Sequence, residues 1–255
     1  MLLTNGCSFV WGDELHGYDD SPPTHEEYTF TYKLSEKLGI PYVNIAQCGS
    51  CNQKIFRDTT DYLRTCKELP THIVILWSAF QREEVAENHP IGYESFRNIK
   101  RFQCMTQISP SRLNVVKPEL AKTLDKYYDY YDVNRTGIIR TINYMTHMQW
   151  LCEILGIKLI QGSFHDRVRE NLMNTMKPRY RETQAPWTEW MDYVQDSLAS
   201  LRDTSRVGLG CYEDFFSFAK NNFTIKPYGH PDEDAHMAYA DLLYHIFSTR
   251  FENDK

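Results

Sequence analysis

Four short segments hold residue types whose spacing can do chemistry. The first is Gly6-Cys7-Ser8-Phe9-Val10-Trp11-Gly12, directly after the apolar run at 1–4. A serine on a sharp turn at the carboxyl end of a strand projects its hydroxyl above the sheet. The backbone N–H groups that follow it then face a developing oxyanion. A hydrophilic strand-to-helix turn that happens to contain serine is the plainer alternative. The second segment is Tyr228-Gly229-His230-Pro231-Asp232-Glu233-Asp234-Ala235-His236. His230 stands in a loop before a helix, where an imidazole is exposed yet positioned to take a proton from a serine. Its rival, His236, lies inside the helix and reads better as a core or helix-face residue.

The third segment is Gln47-Cys48-Gly49-Ser50-Cys51-Asn52, after a second strand and opening a helix. Gly49 permits close backbone approach, the helix N-terminus offers unpaired donors, and Asn52 adds an amide. The same residues form a C-x-x-C at a helix N-terminus, an arrangement that lowers a thiol pKa in disulfide oxidoreductases. Gln47 stands where that family has tryptophan, and two buried thiols beside a turn account for the pattern equally well. Zinc is not indicated, because no second ligand pair follows at finger spacing. The fourth segment is Trp77-Ser78-Ala79-Phe80-Gln81-Arg82-Glu83-Glu84. Its polar residues, Ser78 among them, face the same crevice as Ser8. Arg82 with Glu83 or Glu84 reads as a solvated ion pair.

The elements that must position these segments alternate. Strands are predicted at 1–4, 42–46, 72–77 and 158–162, with helices at 29–38, 50–66, 135–155 and from Pro231 onward. The run His72-Ile73-Val74-Ile75-Leu76-Trp77 is continuous, as in a strand covered on both faces. Such alternation gives right-handed crossovers and a parallel sheet. Further helices are predicted at 118–131, 164–176, 187–201 and 212–220. The stretch 79–117 carries no recognisable element. The chain reads as one α/β domain over 1–255 with a helical insertion at about 79–134, a lid or a docking surface. Tyr127, Tyr128, Tyr130 and Tyr131, with Trp187 and Trp190, are of the kind that stack on sugar faces, but an amphipathic helix laid on the core is the better reading of the tyrosines.

Composition bounds the rest. At 42% hydrophobic and 24% charged residues the 255-residue chain is an ordinary globular one, able to bury roughly three-quarters of its unfolded surface. No apolar run approaches the ~20 residues of a membrane span. A net charge of −6 disfavours nucleic acid as a partner. Seven scattered cysteines and an N-terminus without a basic, then apolar, leader point to a reducing cytoplasmic setting.

Taken together the four segments resemble the SGNH (GDSL-type) hydrolases, and most of all short members with an Asn-Gly-Cys-Ser-Phe start, many of them from tailed bacteriophages. In that family the serine follows the first strand. A glycine after the second strand and an asparagine after the third complete the oxyanion hole, and the histidine precedes the last helix. The resemblance implies a three-layer α/β/α (flavodoxin-like) fold with a central parallel sheet. It also implies ester hydrolysis without cofactor or metal, on a small-molecule or glycan acyl ester. Ser8 is then the nucleophile and His230 the base, with Ser8 N–H, Gly49 N–H and Asn52 at the oxyanion. Three departures stand out. Cys7 replaces the family aspartate, Trp77-Ser78 stands where Gly-x-Asn is usual, and Pro227 occupies the place of the aspartate that orients the histidine. Ser78 or Asn52 would have to supply the missing donor. Asp232, Asp234 or a backbone carbonyl would have to orient the ring, with His236 as an alternative imidazole. Two other readings remain from sequence: a non-catalytic binding protein on the same scaffold, and thiol chemistry at Cys48/Cys51 or Cys7.

Overall fold

The computed structural model describes residues 1–15, 24–80, 82–86, 105–108, 133–163, 196, 199–201 and 214–251. Six strands are described: β1 (Leu2–Asn5), β2 (Tyr42–Asn44), β3 (His72–Trp77), β4 (Glu83–Ala86), β5 (Met105–Ile108) and β6 (Lys158–Ser163). The helices are α1 (Ser8–Trp11), α2 (Phe30–Leu38), α3 (Asn52–Thr65), α4 (Val133–Leu155), α5 (Phe215–Asn222) and α6 (Glu233–Phe251), with a 3-10 turn at Thr24–Tyr28.

Four strands form a parallel sheet in the order β2-β1-β3-β6. Thr4 pairs with Asn44 on one side and Val74 on the other, and Val74 in turn with Ile160. Successive side chains of a strand point to opposite faces, and the two cores follow that alternation. Leu2, Val74, Leu76 and Ile160 join the cluster beneath α2, α5 and α6. Leu3, Ile73, Ile75, Trp77 and Leu159 join the cluster beneath α3 and α4. Helices thus cover both faces, which makes three layers, and the unbroken hydrophobicity of β3 is the mark of a strand buried twice.

Local chemistry sets the helix ends. Thr29 caps α2 by accepting from Tyr32 N–H, and Gly39 closes it in the left-handed region. Asp232, not Pro231, begins the last helix: its Oδ1 accepts from Ala235 N–H at 2.9 Å. Proline was expected at the first helical position, but it precedes the cap, because a carboxylate satisfies an orphan donor and a proline ring does not. The 79–117 stretch, expected to lack elements, contributes an antiparallel ribbon in which Glu83 pairs with Ile108 and Ala86 with Met105. The predicted helices at 118–131 and 164–176 and the tyrosines at 127–131 lie outside the described residues. So do most of the helix at 187–201, with Trp187 and Trp190, and most of the insertion. Among the described residues no helix is long and apolar enough to cross a membrane.

Candidate active site

The order β2-β1-β3-β6 reverses direction between β1 and β3, the place where open parallel sheets leave a crevice at their carboxyl edge. Ser8 follows β1 at that edge. Residue 6 must be glycine for the turn to close, since a Cβ there would stand 2.3 Å from Val10 Cγ2 and 3.0 Å from Leu76 O. Cys7 is the extended N-cap residue of α1 and is fully buried in the α6-side core. Ser8 is the first helical residue and 8% exposed. After one turn the helix stops at Gly12, and both Gly12 N–H and Asp13 N–H donate to Ser8 O. Glu14 next adopts φ +67, the sole non-glycine in that region among the described residues.

His230 is presented by a tight hairpin. Ile225 and Pro231 form an antiparallel bridge, Lys226 N–H donates to His230 O, and Gly229 N–H donates to Lys226 O. Pro227 takes the second position of that turn, where its fixed φ is an advantage. Gly229 follows at φ 95, a conformation that favours glycine. Proline therefore stands three before the histidine because the turn needs it there. Phe9 packs against the imidazole with ring centroids 5.0 Å apart.

Ser8 and His230, 222 residues apart in sequence, meet: His230 Nε2 lies 2.8 Å from Ser8 Oγ. On the other side of the ring, His230 Nδ1 lies 2.7 Å from Glu14 Oε2. Glu14 also accepts from Tyr228 N–H at 3.0 Å and His230 N–H at 3.1 Å. Burial alone would push the Glu14 carboxyl upward, but the hydrogen bonds from Tyr228 N–H and from the His230 ring and backbone outweigh it and hold it below its usual value. An ionised carboxylate only accepts. The proton therefore sits on Nδ1, and Nε2 presents a lone pair to the Ser8 hydroxyl. Asp13 Oδ2 is the next acid, 3.6 Å from Nε2.

The other residues singled out from sequence are distributed differently. Gly49 sits in the turn after β2 at φ 79, and that loop adjoins the Ser8 turn through Gln47 N–H to Gly6 O at 3.4 Å. Asn52, expected at an oxyanion, has its whole amide engaged within the protein. Both its amide protons are taken, by Ser78 O at 2.9 Å and Thr141 Oγ1 at 2.8 Å, while its Oδ1 accepts from Ser78 N–H at 2.5 Å. Ser78 is buried, its N–H is spent on Asn52, and its Oγ accepts from Arg82 at 2.9 Å. Arg82 also donates to Ser50 O at 3.4 Å, tying together the loops after β2 and β3. Its expected partners Glu83 and Glu84 pair instead with Arg140 and Arg57.

Neither Asp232 nor Asp234 orients His230. Asp232 caps α6 and accepts from Thr224 N–H at 3.2 Å, and Asp234 is exposed in the first turn of that helix. His236 is fully buried, with Nδ1 accepting from Phe30 N–H at 3.1 Å, and burial pushes its pKa down to about 3. It is a core residue. The C-x-x-C is not bridged: Cys48 is exposed and Cys51 buried. Cys51 caps α3, and burial pushes its thiol up to about 11, the opposite of a redox-active thiolate.

Glu14 is the residue that sequence reasoning missed. The available signal was an acid in the loop that carries the serine. Its approach to His230 depends on a left-handed backbone at a non-glycine position, which the residue type does not announce.

No family model matches the sequence, and no curated protein matches it. Solved structures do. The chain is similar to a protein of Desulfitobacterium hafniense described as lipolytic and of the G-D-S-L family, at 11% identity and TM-score 0.46, over 96% of this chain and 98% of that one. It is similar to a carbohydrate esterase family 2 enzyme of Corynascus thermopiles at 11% identity and TM-score 0.49, over 97% of this chain and 65% of that one. A third is the psychrotrophic esterase EstA of a Pseudoalteromonas species, at 11% identity and TM-score 0.47, over 97% and 96%.

Proposed function

We propose that the chain is a serine hydrolase of the SGNH type acting on ester-linked acyl groups, with Ser8 as nucleophile and His230 as base. The observation that carries this reading is the 2.8 Å approach of His230 Nε2 to Ser8 Oγ, with the ring's other nitrogen already anchored. Ser8 Oγ attacks the ester carbonyl while its proton passes to Nε2, and the carbonyl π electrons move to oxygen. The oxyanion is assigned to the N–H groups of Ser8 and Gly49. Collapse of the tetrahedral species breaks the bond to the alcohol, which leaves with the proton from His230. A water molecule, deprotonated by Nε2, then cleaves the acyl–Ser8 ester, releasing the acid and restoring the serine. The substrate class is a small-molecule or glycan acyl ester.

The test is covalent labelling by a fluorophosphonate, followed by peptide mass spectrometry and paired with turnover of an aryl acetate. We expect one adduct, on Ser8, that vanishes in Ser8→Ala. Turnover should fall by roughly 10³-fold or more in both Ser8→Ala and His230→Ala. A folded wild-type protein with no adduct and no turnover would overturn the proposal. Since Asn52 is withdrawn from the oxyanion, that outcome would favour the alternative of a ligand-binding protein on a hydrolase scaffold.

A further inference from the structure

The carboxylate that orients the histidine was expected from the histidine's own segment, and the two acids expected to do so, Asp232 and Asp234, are otherwise engaged or turned outward. We propose that Glu14 is the positioning residue for His230, so that nucleophile and orienting acid come from a single turn and the base is clamped onto it. This inference rests on the hydrolase reading for its catalytic meaning, and on contacts of this chain for its geometry.

The clamp has two parts. Glu14 Oε2 takes the Nδ1 proton at 2.7 Å and the His230 backbone N–H at 3.1 Å, while Oε1 takes the Tyr228 N–H at 3.0 Å. One carboxylate thus sets the tautomer, the ring's rotation and the place of the hairpin that bears the ring. Its side chain is 6% exposed, so the charge is withheld from water and directed at those three donors. The left-handed backbone at Glu14 is the arrangement needed to return the side chain toward the far end of the sequence. Strain of this kind in a non-glycine persists where surrounding contacts fix it, and it gathers at functional sites. Asp13, next in the chain, lies nearer the opposite ring nitrogen, 3.6 Å from Nε2, and so does not compete for Nδ1.

The test compares Glu14→Gln, Glu14→Asp and wild type by two independent readouts, after circular dichroism has established that all three are folded. The first is the downfield proton resonance of the His230 ring, assigned by its loss in His230→Ala. The second is the rate of fluorophosphonate labelling of Ser8 as a function of pH. We expect the Nδ1–H resonance to move upfield or broaden away in Glu14→Gln and to be largely kept in Glu14→Asp. We expect labelling to slow by about 10²- to 10⁴-fold in Glu14→Gln, the range seen when a triad loses its orienting acid. Glu14→Asp should recover part of the rate. The other acid at the ring, Asp13, 3.6 Å from Nε2, is unchanged in these variants. An unaltered resonance together with an unaltered labelling profile in Glu14→Gln would overturn the proposal. A wild-type protein that never labels would sink the hydrolase reading, while the resonance would still decide whether Glu14 holds the ring.

Discussion

At the scale of single residues, the two histidines of the last segment show how environment assigns role. His230 is placed at a rim with an acceptor on one nitrogen and a hydroxyl on the other, whereas His236 is buried against the rings of Phe30 and Phe215. That difference carries a pH signature. With its folded pKa pushed down by burial to about 3 against an ordinary 6.5, His236 binds a proton more readily in the unfolded chain. Stability is therefore complete above pH 6.5 and is lost progressively as pH falls toward 3. His72, pushed down to about 4 mainly by burial, adds in the same direction. Glu14, held below its usual 4.5, contributes only at lower pH, so the interval from pH 7 to 5 isolates the histidines. Urea unfolding should show the wild-type midpoint dropping across that interval. His236→Gln, which keeps an acceptor for Phe30 N–H, should show a flatter dependence. An equal slope in both would show that His236 does not titrate on unfolding. The serine and the imidazole were legible from their turn and loop signals. The carboxylate on the far side of the ring was not, because its position comes from a backbone conformation and not from its neighbours in sequence.

At the scale of elements, what sequence reveals depends on how local the deciding interaction is. Strands β1, β2, β3 and β6 and helices α2, α3, α4 and α6 follow hydrophobic period and caps, and the expected ranges lie within a few residues of the observed ones. The β4–β5 ribbon was invisible because Glu83-Glu84-Val85-Ala86 has no strand pattern. It is paired with residues some twenty positions on, and its two glutamates are held by Arg140 and Arg57 from α4 and α3. Asn52 teaches the same lesson. Its type and position suit an oxyanion donor, yet its amide laces α3 to the end of β3 and to α4 through Ser78 and Thr141. Asn52→Ala would leave the buried Ser78 N–H and C=O without those partners. It is expected to cost about 2–4 kcal/mol of stability by denaturant unfolding. Phosphonylation of Ser8, per folded molecule, should change far less than in Glu14→Gln. The reverse pattern, full stability with labelling lost, would return Asn52 to the oxyanion.

At the scale of the whole molecule, one sheet separates two cores, and its parallel strands bring every carboxyl terminus to one edge. Ser8 lies at that edge, and the hairpin before α6 brings His230 to it although the two stand near opposite ends of the chain. The sheet also couples the faces. Removing α6 would expose Leu2, Val74, Leu76 and Ile160, and removing α4 would expose Ile73, Ile75, Trp77 and Leu159 on the same strands. Neither face keeps a fully buried strand without the other, so the two should open together. The cysteines report on this directly. Cys7 lies in the α6-side cluster, Cys152 in the α4-side cluster, and Cys51 is buried at the start of α3, while Cys48 is exposed. In pulsed alkylation read by peptide mass spectrometry, Cys48 should react at once. Cys7 and Cys152 should react slowly, with a common dependence on added urea, because both wait for the same opening. Burial, with the adjacent Glu153 charge, pushes the Cys152 thiol up to about 12, which slows its intrinsic reaction but leaves that dependence unchanged. Cys7 labelled at low urea while Cys152 stays protected would mean that the α6 face detaches by itself. In that case the His230 hairpin between α5 and α6 would be free to leave the serine without the rest of the fold coming apart.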